Sequence, residues 1–284
     1  MSENAAAIKN LPYPATPVVW ITGASSGIGE GLAREWFARG AQVILSARRE
    51  ERLHALAREL GGTESPDAQG LYNRRIAVLP LDLTANADFS EKTSAAVKFF
   101  GHVDILAQAG GVSQRSTAAE TPAENTRLIM ETNFFGPVAL ARQILPVMTA
   151  NGGGRIVVIS SLMGKFGAPG RSSYAASKHA LHGYFDALRA EEWHNGIRVT
   201  LVTPGYVKTD ISVNAIHANG AAHGTLDPGQ AGGMTPRECA RQIIDGVEKD
   251  LEEILIGGTE KYAVFLKRWA PKILSRILRG RNID

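Results

Sequence analysis

Short β-branched apolar runs alternate with longer stretches of helical period along this chain, the signature of a parallel sheet wrapped by crossover helices. The runs predict strands at 17–22, 41–47, 75–81, 103–107, 154–160, 198–202 and 252–256. Right-handed crossovers between them place helices on both faces of the sheet. The expected fold class is α/β, a doubly wound parallel seven-stranded sheet in a single domain. Residues 61–70 and 151–154 read as surface connections, and no internal repeat is evident. The stretch 206–234 differs, being rich in Gly, Ala, His and Asn with weak periodicity; a loop of that length inside a compact domain reads as a lid over a site. The expected organisation is a flexible leader over 1–16, the α/β domain over 17–258 with its lid at about 206–234, and a C-terminal helix over 259–284.

Composition adds boundaries to that picture. With 284 residues and 44% apolar content, the chain can bury the core of one such domain. A single cysteine, Cys239, excludes an intramolecular disulfide framework, and neither a C-x-x-C pair nor metal-ligand spacing occurs, so no metal is expected. His54, His102, His179, His182, His194, His217 and His223 are scattered and read as surface residues. No apolar run approaches the roughly 18 residues of a spanning helix, and the N-terminal segment lacks a basic stretch leading into an apolar one. A soluble, cytoplasmic protein is expected. The net charge of +3 is too small to argue for nucleic acid. Its excess is concentrated at the end: 261–281 carries seven Lys/Arg and no acid, while Tyr262, Phe265, Trp269, Ile273 and Ile277 recur at helical spacing. This basic amphipathic helix packs on its own domain or on a subunit partner, or else makes a peripheral membrane contact.

Candidate chemistry begins at the first strand, which runs into Thr22-Gly23-Ala24-Ser25-Ser26-Gly27-Ile28-Gly29 and then a helical pattern. Strand, glycine turn and helix form the context of a dinucleotide site in a Rossmann fold. Glycines let the backbone approach a pyrophosphate, whose charge meets the free amides and positive dipole end of the helix. Gly23, Ser25, Ser26, Gly27, Ile28 and Gly29 are the candidate contacts, although G-x-x-x-G-x-G is one residue wider than the usual fingerprint. At the tip of the second strand stands Ser46-Ala47-Arg48-Arg49, with no acid before Glu50. A carboxylate there would accept from a free ribose 2′-hydroxyl, whereas guanidinium binds a 2′-phosphate with paired hydrogen bonds, so NADP(H) is expected over NAD(H). Asp82 and Leu83, after the third strand, fall where an adenine contact would lie; turn capping is the other reading of Asp82.

Farther along, Ser172-Ser173-Tyr174-Ala175-Ala176-Ser177-Lys178 sets Tyr174 and Lys178 four residues apart on one face of a predicted helix. A free phenol titrates at about pH 10; a nearby ammonium, with an oxidised nicotinamide, would lower its pKa towards working pH. Such a group can move the proton while hydride goes to or from a nicotinamide. Thirteen residues before Tyr174, the fifth predicted strand ends in Ile159-Ser160-Ser161, at the carboxyl edge where ligands bind in open α/β sheets.

Together with the glycine turn, Ser161, Tyr174 and Lys178 resemble the short-chain dehydrogenase/reductase family in order and spacing, over roughly 18–256. The resemblance implies that Ser161 hydrogen-bonds the substrate oxygen, Tyr174 transfers the proton, and Lys178 binds the nicotinamide ribose and tunes Tyr174. Asn133, in Thr132-Asn133-Phe134-Phe135-Gly136, matches the family's helix asparagine that supports a water link from Lys178. Pro204-Gly205-Tyr206-Val207-Lys208-Thr209 resembles the segment that passes the nicotinamide, with Pro204, Gly205, Val207 and Thr209 as cofactor contacts. Gln108-Ala109-Gly110-Gly111 stands where the family usually has N-N-A-G. Ala109 and Gly110 keep the close approach to cofactor, while Gln108 replaces an asparagine that stabilises the central sheet. Val112-Ser113-Gln114-Arg115-Ser116 looks most like the branch containing dehydrogenase/reductase member 7, whose relatives act on apolar carbonyls.

Met163 and Tyr206, with Leu162, Phe166 and Ile211, suggest an apolar substrate pocket beside Ser161 and Tyr174. The expected activity is therefore interconversion of a hydrophobic ketone or aldehyde and an alcohol, in a homodimer or homotetramer such as relatives form. A non-catalytic NADP(H) sensor and a nucleotide-sugar epimerase or dehydratase are the alternatives. Intact Ser161, Tyr174 and Lys178 argue against the first, and the short C-terminal region against the second.

Overall fold

A computed structural model describes residues 11–280. Strands β1 (Val18–Thr22) and β2 (Gln42–Ser46), β3 (Leu71–Tyr72) and β4 (Ile76–Val78), β5 (Ile105–Gln108), β7 (Gly154–Ile159), β8 (Ile197–Pro204) and β10 (Glu253–Ile256) form one sheet in the order β10-β8-β7-β5-β1-β2-β4-β3. Seven run parallel. The eighth, β3, is a two-residue antiparallel edge that sequence periodicity does not show. It arises from a tight turn in which Asn73 and Arg74 both take positive φ, 50° and 56°, the conformation that folds a hairpin back with the twist of its strands. Gln114–Arg115 (β6) pairs with Ile216–His217 (β9) in a separate two-stranded ribbon.

Side-chain alternation explains the two layers. On β1, Val19 and Ile21 join one core cluster, while Val18 and Trp20 join the cluster on the opposite face. The first face is covered by α1 (Gly27–Ala38), α2 (Glu50–Gly61) and α7 (Pro236–Glu248); the second by α3 (Phe89–Phe100), α5 (Gly136–Ala150) and α6 (Ser172–Glu191). Chain order reverses between β2 and β5, on either side of β1, which opens a crevice at the carboxyl ends of these strands.

Three segments differ from expectation. Of the leader, residues 1–10 lie outside the described residues, while Leu11, Pro12 and Tyr13 dock on the domain: Arg155 donates to the carbonyls of Leu11 (2.8 Å) and Pro12 (3.4 Å), and Trp36 Nε1 donates to the Tyr13 hydroxyl (3.0 Å). The C-terminal segment is two helices, α8 (Tyr262–Trp269) and α9 (Pro271–Arg279), because Pro271 supplies no amide to continue the first. His182 is buried, 3.0 Å from the Ser160 hydroxyl, because it faces the sheet from α6. The lid stretch carries β9 and a one-turn helix, Pro228–Ala231, and is tied to α4 (Ala123–Met130) where Asn125 donates to the carbonyls of His217 and Ala218. Among the described residues, no helix is long and apolar enough to cross a membrane, and no cluster of His, Cys, Asp or Glu could hold a metal.

Candidate active site

The crevice widens into one cavity of about 1380 Å³. Its inner wall is the turn from β1 to α1. Gly23 has φ +72°, and a Cβ there would lie 2.6 Å from the Gly110 amide nitrogen, so the two backbones meet because Gly23 carries no side chain; a Cβ at Gly110 would instead strike Leu83. Ser25, Ser26, Gly27, Ile28, Arg48, Arg49, Asp82, Leu83, Ala109 and Gly110 line this end; Gly29 lies behind it, packed on the Gly23 carbonyl. Arg49 donates to Ser25 Oγ (3.0 Å) and Ser26 Oγ (2.7 Å). Burial, followed by repulsion from Arg52 and Arg48, holds its guanidinium below the usual pKa. Cations gathered without a bonded acid favour an anion. Asp82 accepts from the Thr84 amide and hydroxyl, both at 2.9 Å, so it caps its turn while lining the cavity. The Thr22 hydroxyl is buried with no hydrogen-bond partner among the described residues. A glycine cradle, a helix N-terminus and a serine–arginine pocket in one cleft fit a phosphorylated dinucleotide.

Midway, Ser161, Tyr174 and Lys178 converge. Ser161 follows β7; Tyr174 and Lys178 share the buried face of α6. Ser161 accepts from the Met163 amide (3.1 Å) and acts on the neighbouring Tyr174 phenol, whose pKa it lowers. Lys178 Nζ donates to the Ile159 carbonyl (2.8 Å) and lies 5.8 Å from the centre of the Tyr174 ring. Burial lowers the Lys178 pKa to about 8. Burial pushes the Tyr174 phenol up, while Ser161, Arg171 and Arg115 pull it down. The phenol therefore stands above its usual value, and Lys178, its ammonium turned to a carbonyl, is not among the groups that pull it down.

Asn133 does not line the cavity but stands behind it. Its amide exchanges hydrogen bonds with the Val112 backbone (2.8 and 2.9 Å) and donates to Ser177 Oγ (3.0 Å), which donates to the Tyr174 carbonyl (2.7 Å). It sits in a single π-helical turn, Glu131–Phe135, between α4 and α5. Pro137 accounts for the widened turn: its ring displaces the carbonyl of Asn133 four residues earlier and offers it no amide. Gln108 is buried and donates to the Pro137 carbonyl (2.9 Å), tying β5 to α5, although its Oε1 has no partner among the described residues.

The outer end is lined by Met163, Tyr206 and Ile211, with Pro204, Gly205, Val207 and Thr209 between it and the glycine turn. Sequence reasoning missed four residues here. Gln114, fully buried on β6, accepts from the amides of Ser173 (2.7 Å) and Tyr174 (3.3 Å), capping α6 from 59 residues away. Arg115 and Arg171 both donate to Asp227 Oδ2, the latter at 3.2 Å. Burial lowers both guanidinium pKa values, that of Arg171 to about 10. Two cations share one carboxylate, which leaves positive charge beside the phenol. The only local signal was Gln114-Arg115 itself, in the segment after β5; nothing in sequence pairs it with Asp227.

The family described as short chain dehydrogenase matches this chain over residues 17–220. Dehydrogenase/reductase SDR family member 7B from Rattus norvegicus is 39% identical over 274 residues, covering 96% of this chain and 83% of the relative. Its namesake from Danio rerio is 39% identical, covering 96% and 88%. Among solved structures, a short-chain dehydrogenase from Streptomyces avermitilis superposes with a TM-score of 0.75 at 26% identity, covering 94% of this chain and 99% of that one. One from Burkholderia cenocepacia, in complex with NADP, does so with a TM-score of 0.75 at 22% identity, covering 94% and 98%. The chain belongs to the short-chain dehydrogenase/reductase family of oxidoreductases.

Proposed function

We propose that this protein is an NADP(H)-dependent carbonyl reductase or alcohol dehydrogenase that interconverts a hydrophobic ketone or aldehyde and its alcohol. The observation that carries the reading is the meeting of Ser161, Tyr174 and Lys178 in the same cavity as the Arg49–Ser25–Ser26 pocket. Gly23, Ser25, Ser26, Gly27, Ile28, Asp82, Leu83, Ala109 and Gly110 would hold the dinucleotide, with Gly29 setting the turn. Arg48 and Arg49 would hold its 2′-phosphate, and Pro204, Gly205, Val207 and Thr209 the nicotinamide end. Bound there, NADP(H) supplies or accepts the hydride. Ser161 donates to the substrate oxygen, Tyr174 gives or takes its proton, and Lys178 turns from Ile159 to the ribose. Asn133 positions rather than reacts, since its contacts fix the Val112 backbone and the Tyr174 turn. Met163 and Tyr206 offer the substrate an apolar wall. The NADP of the Burkholderia cenocepacia complex, and the 5-hydroxy-NADP complexed by an alcohol dehydrogenase from Thermococcus sibiricus, support the cofactor assignment. Exposed Leu128 and Phe135 beside the Asn133 turn support a homodimer or homotetramer paired through that helix.

The test is NADPH consumption by the purified protein on steroid, retinoid, quinone, aromatic and sugar carbonyls, with NADH in parallel. Turnover with NADPH on an apolar carbonyl, lowered by about a hundredfold or more in Tyr174→Phe with NADPH binding kept, is the expected result. A Tyr174→Phe protein with ordinary turnover would overturn the assignment, and NADPH binding without turnover on any carbonyl would favour the sensor.

A further inference from the structure

Helices α8 and α9 present two apolar faces. The inner one carries Leu266, Leu274 and Leu278, which pack with Leu162 and Phe166 and close the outer end of the cavity. The outer one carries Phe265, Trp269 and Ile273, all exposed, with Trp269 at 81%. Tyr262 and Ile277 belong to both: each lines the cavity and each is exposed, so they stand at its rim. The outer apolar patch is therefore continuous with the mouth of the site. Around it Lys267, Arg268, Lys272, Arg276 and Arg279 are exposed, and none forms an ion pair among the described residues. From 261 to 280 the chain has six cations and no acid.

An aromatic and aliphatic patch ringed by unopposed cations discriminates between occupants. A second copy of the chain across a two-fold axis would bring the same cations against one another, since such an interface pairs a surface with itself. An anionic lipid surface satisfies both components, taking the aromatic rings at the headgroup boundary and the guanidinium and ammonium groups at the phosphates. We propose that α8 and α9 form a docking surface for an anionic membrane, with the mouth of the site cavity opening at that surface. The docking stands on the patch alone; delivery of a lipophilic carbonyl from the bilayer to Tyr174 rests on the function proposed above.

The experiment is co-sedimentation of the full chain with phosphatidylcholine vesicles containing or lacking phosphatidylserine, at low and high salt, with tryptophan emission followed in parallel. Binding to the anionic vesicles, weakened by salt and accompanied by a blue shift that is absent when Trp269 is replaced by Ser, is expected; Trp20 and Trp36 are buried already, and Trp193 is half-buried beneath Arg198. Phe265→Ser with Trp269→Ser should abolish binding, and Lys272→Gln with Arg276→Gln should weaken it by about tenfold or more. Melting curves report whether each variant is folded. Equal sedimentation with both vesicles, or none, would overturn the proposal. So would a wild-type dimer that binds no vesicle and dissociates in the Phe265→Ser, Trp269→Ser protein, which would make a second copy the occupant. Because no readout involves turnover, failure here leaves the enzymatic reading untouched.

Discussion

The charge around Tyr174 is set by residues from four parts of the chain. Arg171 comes from just before α6, Arg115 from β6, their partner Asp227 from the lid, and Ser161 from the end of β7. Removing a cation should raise the phenol pKa and removing the carboxylate should lower it. In reduction the phenol must be protonated, so activity falls as pH rises through that pKa. The alkaline limb of the reduction profile is thus expected to move to higher pH in Arg115→Gln and to lower pH in Asp227→Asn. Identical limbs in both variants would mean that the pair only holds the lid. A second titration concerns stability. Burial holds His182 near pKa 4, well below its usual 6.5, so between these values the unfolded chain binds more protons than the folded one. Stability is full above about pH 6.5 and declines as pH falls towards 4. Replacing His182 with Gln should flatten that decline in melting temperature, and an unchanged slope would place the acid sensitivity elsewhere. Ser161, Tyr174 and Lys178 were legible in sequence because their order and spacing are local. Gln114 and Asp227 were not, because each acts across a contact 56 to 112 residues long that leaves no periodic trace.

Helix α6 shows how an element, rather than a residue, positions the proposed proton donor. Its first turn has no side-chain cap from Arg171, so the amides of Ser173 and Tyr174 would be orphaned without the Gln114 carbonyl. Gln114→Leu keeps the volume but leaves buried donors unpaired, at a cost of about 1–3 kcal/mol. A fall in kcat larger than any change in KM for NADPH is expected alongside the lowered melting temperature; Gln114→Glu, which can still accept, should restore much of both. Loss of stability with kcat intact would limit Gln114 to a structural part. Parallel strands were legible as apolar runs because both their faces are buried. Deviations at the element scale trace to one or two residues each: the Asn73–Arg74 turn adds an edge strand, Pro137 widens the turn at Asn133, and Pro271 divides the terminal helix. A proline near a helix start is ordinary, so from sequence alone Pro137 looks like an initiation signal rather than an interruption of a helix already under way.

Across the molecule, the proposed dinucleotide cradle draws on both halves of the sheet. The turns after β1 and β2 supply Gly23, Ser25 and Arg49, whereas those after β5 and β8 supply Gly110, Val207 and Thr209. A ligand seated there touches both sides of the switch point and should stabilise the sheet as one cooperative unit. At a hundredfold excess over its dissociation constant, a ligand that binds only the folded state adds about 2.7 kcal/mol, which for a chain of this size raises the melting temperature by roughly 5 °C. NADPH is expected to give that shift in a single sharpened transition, with NADH at the same concentration giving less. Arg49→Ala should erase the difference between the two while leaving the NADH shift in place, because the guanidinium is the group proposed to meet the 2′-phosphate. Equal losses for both ligands would instead give Arg49 a part in holding the glycine turn through Ser25 and Ser26. Two separate transitions, only one of them moving with NADPH, would show that the halves of the sheet unfold independently and that the cradle belongs to one of them.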